Sequence, residues 1–217
     1  MLHKISRREL VQAQMGLFIA IALQVIVSRL NHELLVGPQS FIIPIEIILA
    51  ILIGFTVNRR RSHERGLHHT FALTLLALIS VANISSLVLV LNSLVVSHAS
   101  VSGLELLSSA IAIFMTNIIV YALWYWEIDS PGMTRKRWSK EDKDFQFTQQ
   151  DMKDEFPDWQ PAFLDYLYLS VTNAINFAAA DARPLTHASK LLMASQALIS
   201  VFTLALVVAR SVSILGT

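Results

Sequence analysis

The residues best suited to chemistry in this chain lie in its last third. Along Phe163 to Ala180, Tyr166, Ser170, Asn173 and Phe177 recur at i, i+4, i+7 and i+11, with Thr172 and Asn176 beside them, which makes a polar strip on an otherwise apolar helix. On the following segment Gln196, Ser200, Thr203, Val207 and Arg210 share a helical face, so the two faces can meet across a hairpin. Hydroxyl and amide side chains of this kind can line a hydrated path for small ions, or they can bond helix to helix, at about 0.6 kcal/mol per contact in membrane proteins. Asp181 and Arg183 follow at a turn, where a carboxylate can draw cations to a mouth or simply end a helix in water.

Other chemistries find no residues to perform them. There is no Cys, which removes disulfides, thiolate metal sites and a catalytic thiol. His63, His68 and His69 stand among Arg59, Arg60, Arg61 and Arg65, which would repel a divalent metal, so no metal site is expected. No nucleophile elbow, phosphate loop or zinc-protease motif occurs, and the expectation is no enzyme and no cofactor. Lys+Arg 17 against Asp+Glu 16 gives no basic excess, so nucleic acid is not an expected partner.

The elements that must position these residues are read from hydropathy. Of 217 residues, 54% are hydrophobic and 15% charged, whereas an average soluble domain has about 45–50% apolar and about 25% charged residues; the apolar excess needs lipid to face. It falls in six blocks, Leu10 to Leu30, Phe41 to Val57, Thr70 to Ser97, Leu104 to Trp126, Phe163 to Ala180 and His187 to Ser213. A bilayer core needs about 20 apolar helical residues to cross. The expected fold is therefore an all-α polytopic membrane protein with about six spans, of which the fifth is short, polar and either crossing or re-entrant. The first block is too long for a signal-peptide core and is read as retained.

Three regions follow: a four-helix membrane region over 1–126, a charged loop over 127–162, and a helical hairpin over 163–217. The loop holds nine of the sixteen acidic and six of the seventeen basic residues. Tyr121, Trp124, Tyr125 and Trp126, just before it, are expected at headgroup level. Lys4, Arg7 and Arg8 precede the first block and Arg59, Arg60, Arg61 and Arg65 follow the second, while the loops Asn31 to Ser40 and His98 to Gly103 have no Lys or Arg. Positive loops stay inside, which places the N-terminus and the 127–162 loop in the cytoplasm of a multi-pass protein of a bacterial inner membrane. The arginine run is read as topogenic charge touching anionic headgroups.

The stretch from Tyr166 to Thr186 resembles the pore helix, filter and post-filter turn of two-transmembrane potassium-type cation channels. In that likeness Asn176 stands at the filter threonine, Phe177 at valine, Ala178, Ala179 and Ala180 at Gly-Tyr-Gly, and Asp181 at the aspartate, so the filter is non-canonical. The long helix from His187 would be the inner helix. The resemblance implies small-cation passage through a homotetramer, with Ser170, Asn173, Asn176 to Asp181, Gln196, Ser200 and Thr203 along the path. Over most of its length the chain is also similar to an uncharacterised family of small bacterial integral membrane proteins, through Asp158-Trp159, Asp165 to Ser170 and Ala180-Asp181. That likeness implies architecture and no activity. The alternative function is a non-conducting membrane interaction or scaffold protein whose charged loop binds a soluble partner.

Overall fold

The computed structural model describes residues 7–30, 44–45, 47–48, 50–51, 65–95, 103–129 and 143–215. Four helices within them are long and apolar enough to cross a membrane: α1 (Arg7–Leu30), α2 (Arg65–Val95), α3 (Gly103–Asp129) and, later in the chain, α6 (His187–Leu215). At about 1.5 Å per residue each exceeds the roughly 30 Å of a hydrocarbon core. Of the block Phe41 to Val57, only 44–45, 47–48 and 50–51 are described, and they are helical. The topogenic residues Arg59, Arg60 and Arg61 lie outside the described residues, and Arg65 is the first residue of α2.

These helices tolerate their polar residues because the hydroxyls fold back on their own backbone. Ser80 donates to the Leu76 carbonyl at 2.7 Å, Ser86 to Ala82 at 2.9 Å, Ser109 to Glu105 at 2.7 Å and Thr116 to Ala112 at 2.9 Å. Each pairing spares a buried or half-buried hydroxyl its desolvation cost.

α3 is the centre, packed against α1, α2 and α6. Ala13 and Leu17 of α1, Leu75 and Leu76 of α2, and Leu123 and Trp126 of α3 meet around one small pocket. Further along, Val27, Leu87 and Val90, Leu106, Ala110 and Ile113, and Leu206 form a second apolar cluster. Numbers rise together in α1, α2 and α6 and fall in α3. The N-terminal ends of α1, α2 and α6 therefore share one end of the bundle with the C-terminal end of α3.

At that end sit the smaller elements: strand β1 (Phe145–Phe147), the single turn α4 (Thr148–Asp151), helix α5 (Phe163–Asn176) and strand β2 (Ala182–Pro184). β1 and β2 pair antiparallel, with Phe145 opposite Pro184, Gln146 opposite Arg183 and Phe147 opposite Ala182. The all-α expectation holds for the bundle, and this two-stranded ribbon is an addition to it. Period-2 geometry turns Phe145 and Phe147 to the same side, where both are buried. Phe147 stacks edge-on to Tyr166 at 5.3 Å between centroids and lies 5.7 Å from Trp159.

The fifth block is shorter than its apolar length suggested. α5 begins where the Asp165 carboxylate accepts from the Ala162 N–H at 2.7 Å, and it ends where Phe177 takes a left-handed conformation with φ 55°. Its 14 residues extend about 21 Å, less than a hydrocarbon core. α6 starts at a reciprocal cap, in which the Ser189 N–H donates to the Thr186 hydroxyl and the Thr186 N–H to the Ser189 hydroxyl, both at 3.2 Å.

Candidate functional site

The polar strip and the polar face of α6 meet, and α3 supplies a third side. Gln196 is the hub. Its Nε2 donates to the Ser170 hydroxyl at 2.6 Å and to the Ser170 carbonyl at 3.0 Å, while its Oε1 accepts from Tyr125 Oη at 2.5 Å and from Asn173 Nδ2 at 2.7 Å. Asn173 Nδ2 also donates to the Met193 carbonyl at 3.0 Å, and the Ser170 hydroxyl donates to the Ile118 carbonyl at 2.6 Å. One helical turn or so along, Asn117 Nδ2 donates to Ser200 Oγ at 3.0 Å, and Thr203 bonds back to the Ile199 carbonyl of its own helix. Ser170, Gln196, Ser200 and Thr203 are fully buried and Asn173 nearly so.

Of the proposed path residues, these five are thus buried with partners in hand: Ser170, Asn173 and Gln196 meet one another, whereas Ser200 meets Asn117 of α3 and Thr203 its own backbone. The rest lie elsewhere. Asn176, Phe177, Ala178 and Ala180 are exposed, Ala179 and Asp181 half-buried, and they trail from the end of α5 toward β2. The strip breaks between Asn173, which faces inward, and Phe177, which faces outward at the helix end.

The path of α5 explains the break. A helix running down α3 would meet steadily changing numbers along it, but Ser170 touches Ile118 whereas Asn173, one turn later, reaches Tyr125 and Met193. One edge of α5, Leu167, Val171 and Ala174, packs with Phe114 and Ile118 toward the middle of α3. The opposite edge carries Tyr166, whose hydroxyl donates to Asp129 Oδ2 at 2.7 Å near the end of α3. α5 therefore lies obliquely across α3, with Phe163 at its start edge-on to Trp126 at 6.0 Å.

Asp129 is the second organising residue, and sequence reasoning placed it in the loop. It is buried at the last position of α3, where Oδ1 accepts the backbone N–H of Asp144 at 2.8 Å and of Phe145 at 3.0 Å while Oδ2 holds Tyr166. One carboxylate so ties α3, β1 and α5. The neighbouring Asp144 accepts from the Thr186 hydroxyl through its side chain and from the Leu185 N–H at 2.8 Å through its carbonyl, which adds the start of α6.

Tyr125 was also missed as a site residue. With Tyr121 and Trp126 it is buried in the bundle, because α3 is enclosed by α1, α5 and α6 there. Tyr121 shares a 2.7 Å hydrogen bond with Ser195, and the half-buried Trp124 donates to Ser80 Oγ at 3.0 Å. The only advance signal was polar atoms on four aromatics at the end of a span, which is equally the signature of an interface belt.

Outside the bundle, residues 151–158 are exposed without interruption and include Asp151, Asp154, Glu155 and Asp158. Arg183 of β2 pairs with Asp151 across the ribbon. Among the described residues no group of three His, Asp or Glu is placed to hold a metal ion. Compared with protein families, with curated proteins and with solved structures, the chain matches none.

Proposed function

We propose that this protein is a multi-pass membrane protein that acts by interaction and not by conduction, with α5 as a re-entrant helix that enters and leaves on the side of the charged loop. The observation behind it is the closed network around Gln196. Tyr166, Ser170 and Asn173 have their hydrogen bonds met by α3 or α6 and Thr172 bonds back to the Tyr168 carbonyl of α5, so opening a hydrated path there would exchange several buried bonds for water at once, at about 0.5–1.5 kcal/mol each. What this architecture offers to other molecules is the exposed 151–158 stretch, held between the ribbon and α5, as a platform for a soluble partner.

The re-entrant reading rests on the two flanks of α5. β1 before it and β2 after it pair with each other and are tied through Asp129 to one end of α3. In a bilayer, α1 and α2 pointing the same way need one return crossing between them, the role assigned above to Phe41 to Val57. With α5 re-entrant, the count becomes five crossings, and α6 carries the C-terminus to the face opposite the N-terminus. Positive-inside charge puts the ribbon in the cytoplasm.

Small-cation passage is the second reading, favoured by the exposed Asn176 to Ala178 segment that follows a short helix flanked on one side. Irregular backbone at membrane depth needs protein or water around it, which a ring of copies would supply. The two readings part in one experiment. Purified protein in planar bilayers should pass no current and should not form a tetramer; single-channel currents altered by Asn176→Cys modification would replace the first reading with the second.

A further inference from the structure

α5 is amphipathic the wrong way round for a helix facing water. Its inner face carries Tyr166, Ser170, Thr172 and Asn173 beside Phe163, Leu169 and Ala174, all buried, and its outer face carries Leu164, Tyr168 and Ile175, which are 56%, 50% and 53% exposed. In an aqueous protein a helix would not leave three large apolar side chains exposed on one face while burying four polar ones on the other. An outer face with Leu164, Tyr168 and Ile175 exposed, over an inner face that is half polar, suits apolar surroundings better than water.

Depth supports the same conclusion. The inner edge of α5 packs on Phe114 and Ile118, which lie 15 and 11 residues from the end of α3, or about 22 and 16 Å along a helix. The exposed apolar residues of α5 are continuous in kind with Ile111 and Met115 on α3 and with Leu191 and Leu198 on α6, exposed on helices long and apolar enough to cross the bilayer. An exposed apolar surface like that of the span-length helices thus extends over a helix too short to span.

We infer that the outer face of α5 is a lipid-contact surface, in which Leu164, Tyr168 and Ile175 touch the acyl chains of one leaflet, that on the side of the ribbon. The inference rests on the re-entrant reading of α5 and adds its partner. A helix held this way occupies half the bilayer, so lipid from the other leaflet never reaches it. The buried polar strip is then the inner lining of a wedge whose outside is hydrocarbon.

The chain has no Cys, so single cysteines can carry a nitroxide without a background. Leu164→Cys, Tyr168→Cys and Ile175→Cys, each at an exposed position, are compared with Lys153→Cys in phosphatidylcholine and phosphatidylglycerol vesicles by relaxation with oxygen and with a neutral nickel chelate. Acyl contact predicts that oxygen relaxes all three α5 labels while relaxation by the chelate is lost, with the reverse at position 153. Relaxation by the chelate at the α5 positions would place them in water and overturn the inference. Loss of relaxation by both reagents would do so too, by showing a second copy or another protein over this face. Asp154→Cys and Arg183→Cys provide the separate check on re-entrance: impermeant maleimide must reach both from the same face, and labelling from opposite faces removes the re-entrant reading itself.

Discussion

At the scale of single residues, the most informative position is Gln196, whose amide uses both ends. Gln196→Leu keeps the volume but removes the acceptor of Tyr125 Oη and Asn173 Nδ2 and the donor to Ser170, so we expect a loss of about 1–3 kcal/mol, read as a lower midpoint of thermal unfolding in detergent. Asn173→Leu alone should cost a similar amount, and the double variant less than the sum, because both substitutions break the same bond. Full additivity would dissolve the idea of a network. Phe177 makes the opposite prediction: a non-glycine residue at φ 55° pays roughly 1 kcal/mol, so Phe177→Gly should stabilise the end of α5 by up to that amount.

The polar residues of the strip were legible as a strip, since i, i+4, i+7 spacing survives whatever the helix packs on. Their bonding was not legible. Asp129 and Asp144 are two among nine acidic residues of one segment, and only the folded chain separates a buried carboxylate holding three donors from its solvated neighbours.

At the scale of elements, Asp129 is the joint between α3, β1 and α5. Asp129→Ala removes three hydrogen bonds to a buried acceptor and should loosen the ribbon, with a cost on the order of 3 kcal/mol and faster proteolysis within 151–160; Asp129→Asn, which keeps one oxygen for the β1 amides, should do less harm. Equal protease resistance in all three proteins would show that the joint lies elsewhere. Gly16 marks where α1, α3 and α5 approach, because a Cβ built there would stand 3.4 Å from both Ile119 and Phe163. Gly16→Ala should therefore be neutral or gain up to about 1 kcal/mol of helix propensity, whereas Gly16→Phe should push Phe163 off Trp126 and destabilise the protein. The hydropathy blocks located α1, α2, α3 and α6 within a few residues. α5 was overextended, since Ala178 to Ala180 favour helix by propensity and nothing in their side chains announces the left-handed turn at Phe177.

At the scale of the molecule, the proposal sets the number of crossings and the absence of current together. If the closed network and the flanks of α5 mean what is proposed, reconstituted protein is electrically silent and positions 154 and 183 share a face. The resemblance to pore-loop channels was carried by the order of residue types from Tyr166 to Thr186, and order alone does not set the angle of a helix. In the fold, α5 lies across α3 and spends its polar groups on its neighbours.

The sequence by itself determined that this is a helical membrane protein, where its long helices run and which end carries the charge, because each of these follows from transfer free energies summed over neighbouring residues. Only the tertiary structure decided that Ser170, Asn173 and Gln196 satisfy one another, that Tyr125 joins them while Asp129 holds Tyr166, and that α5 turns Leu164, Tyr168 and Ile175 outward. Those outcomes depend on contacts between residues 23 to 48 positions apart, as from Asn173 to Gln196 and to Tyr125, and no local pattern encodes which of several polar partners a side chain will meet.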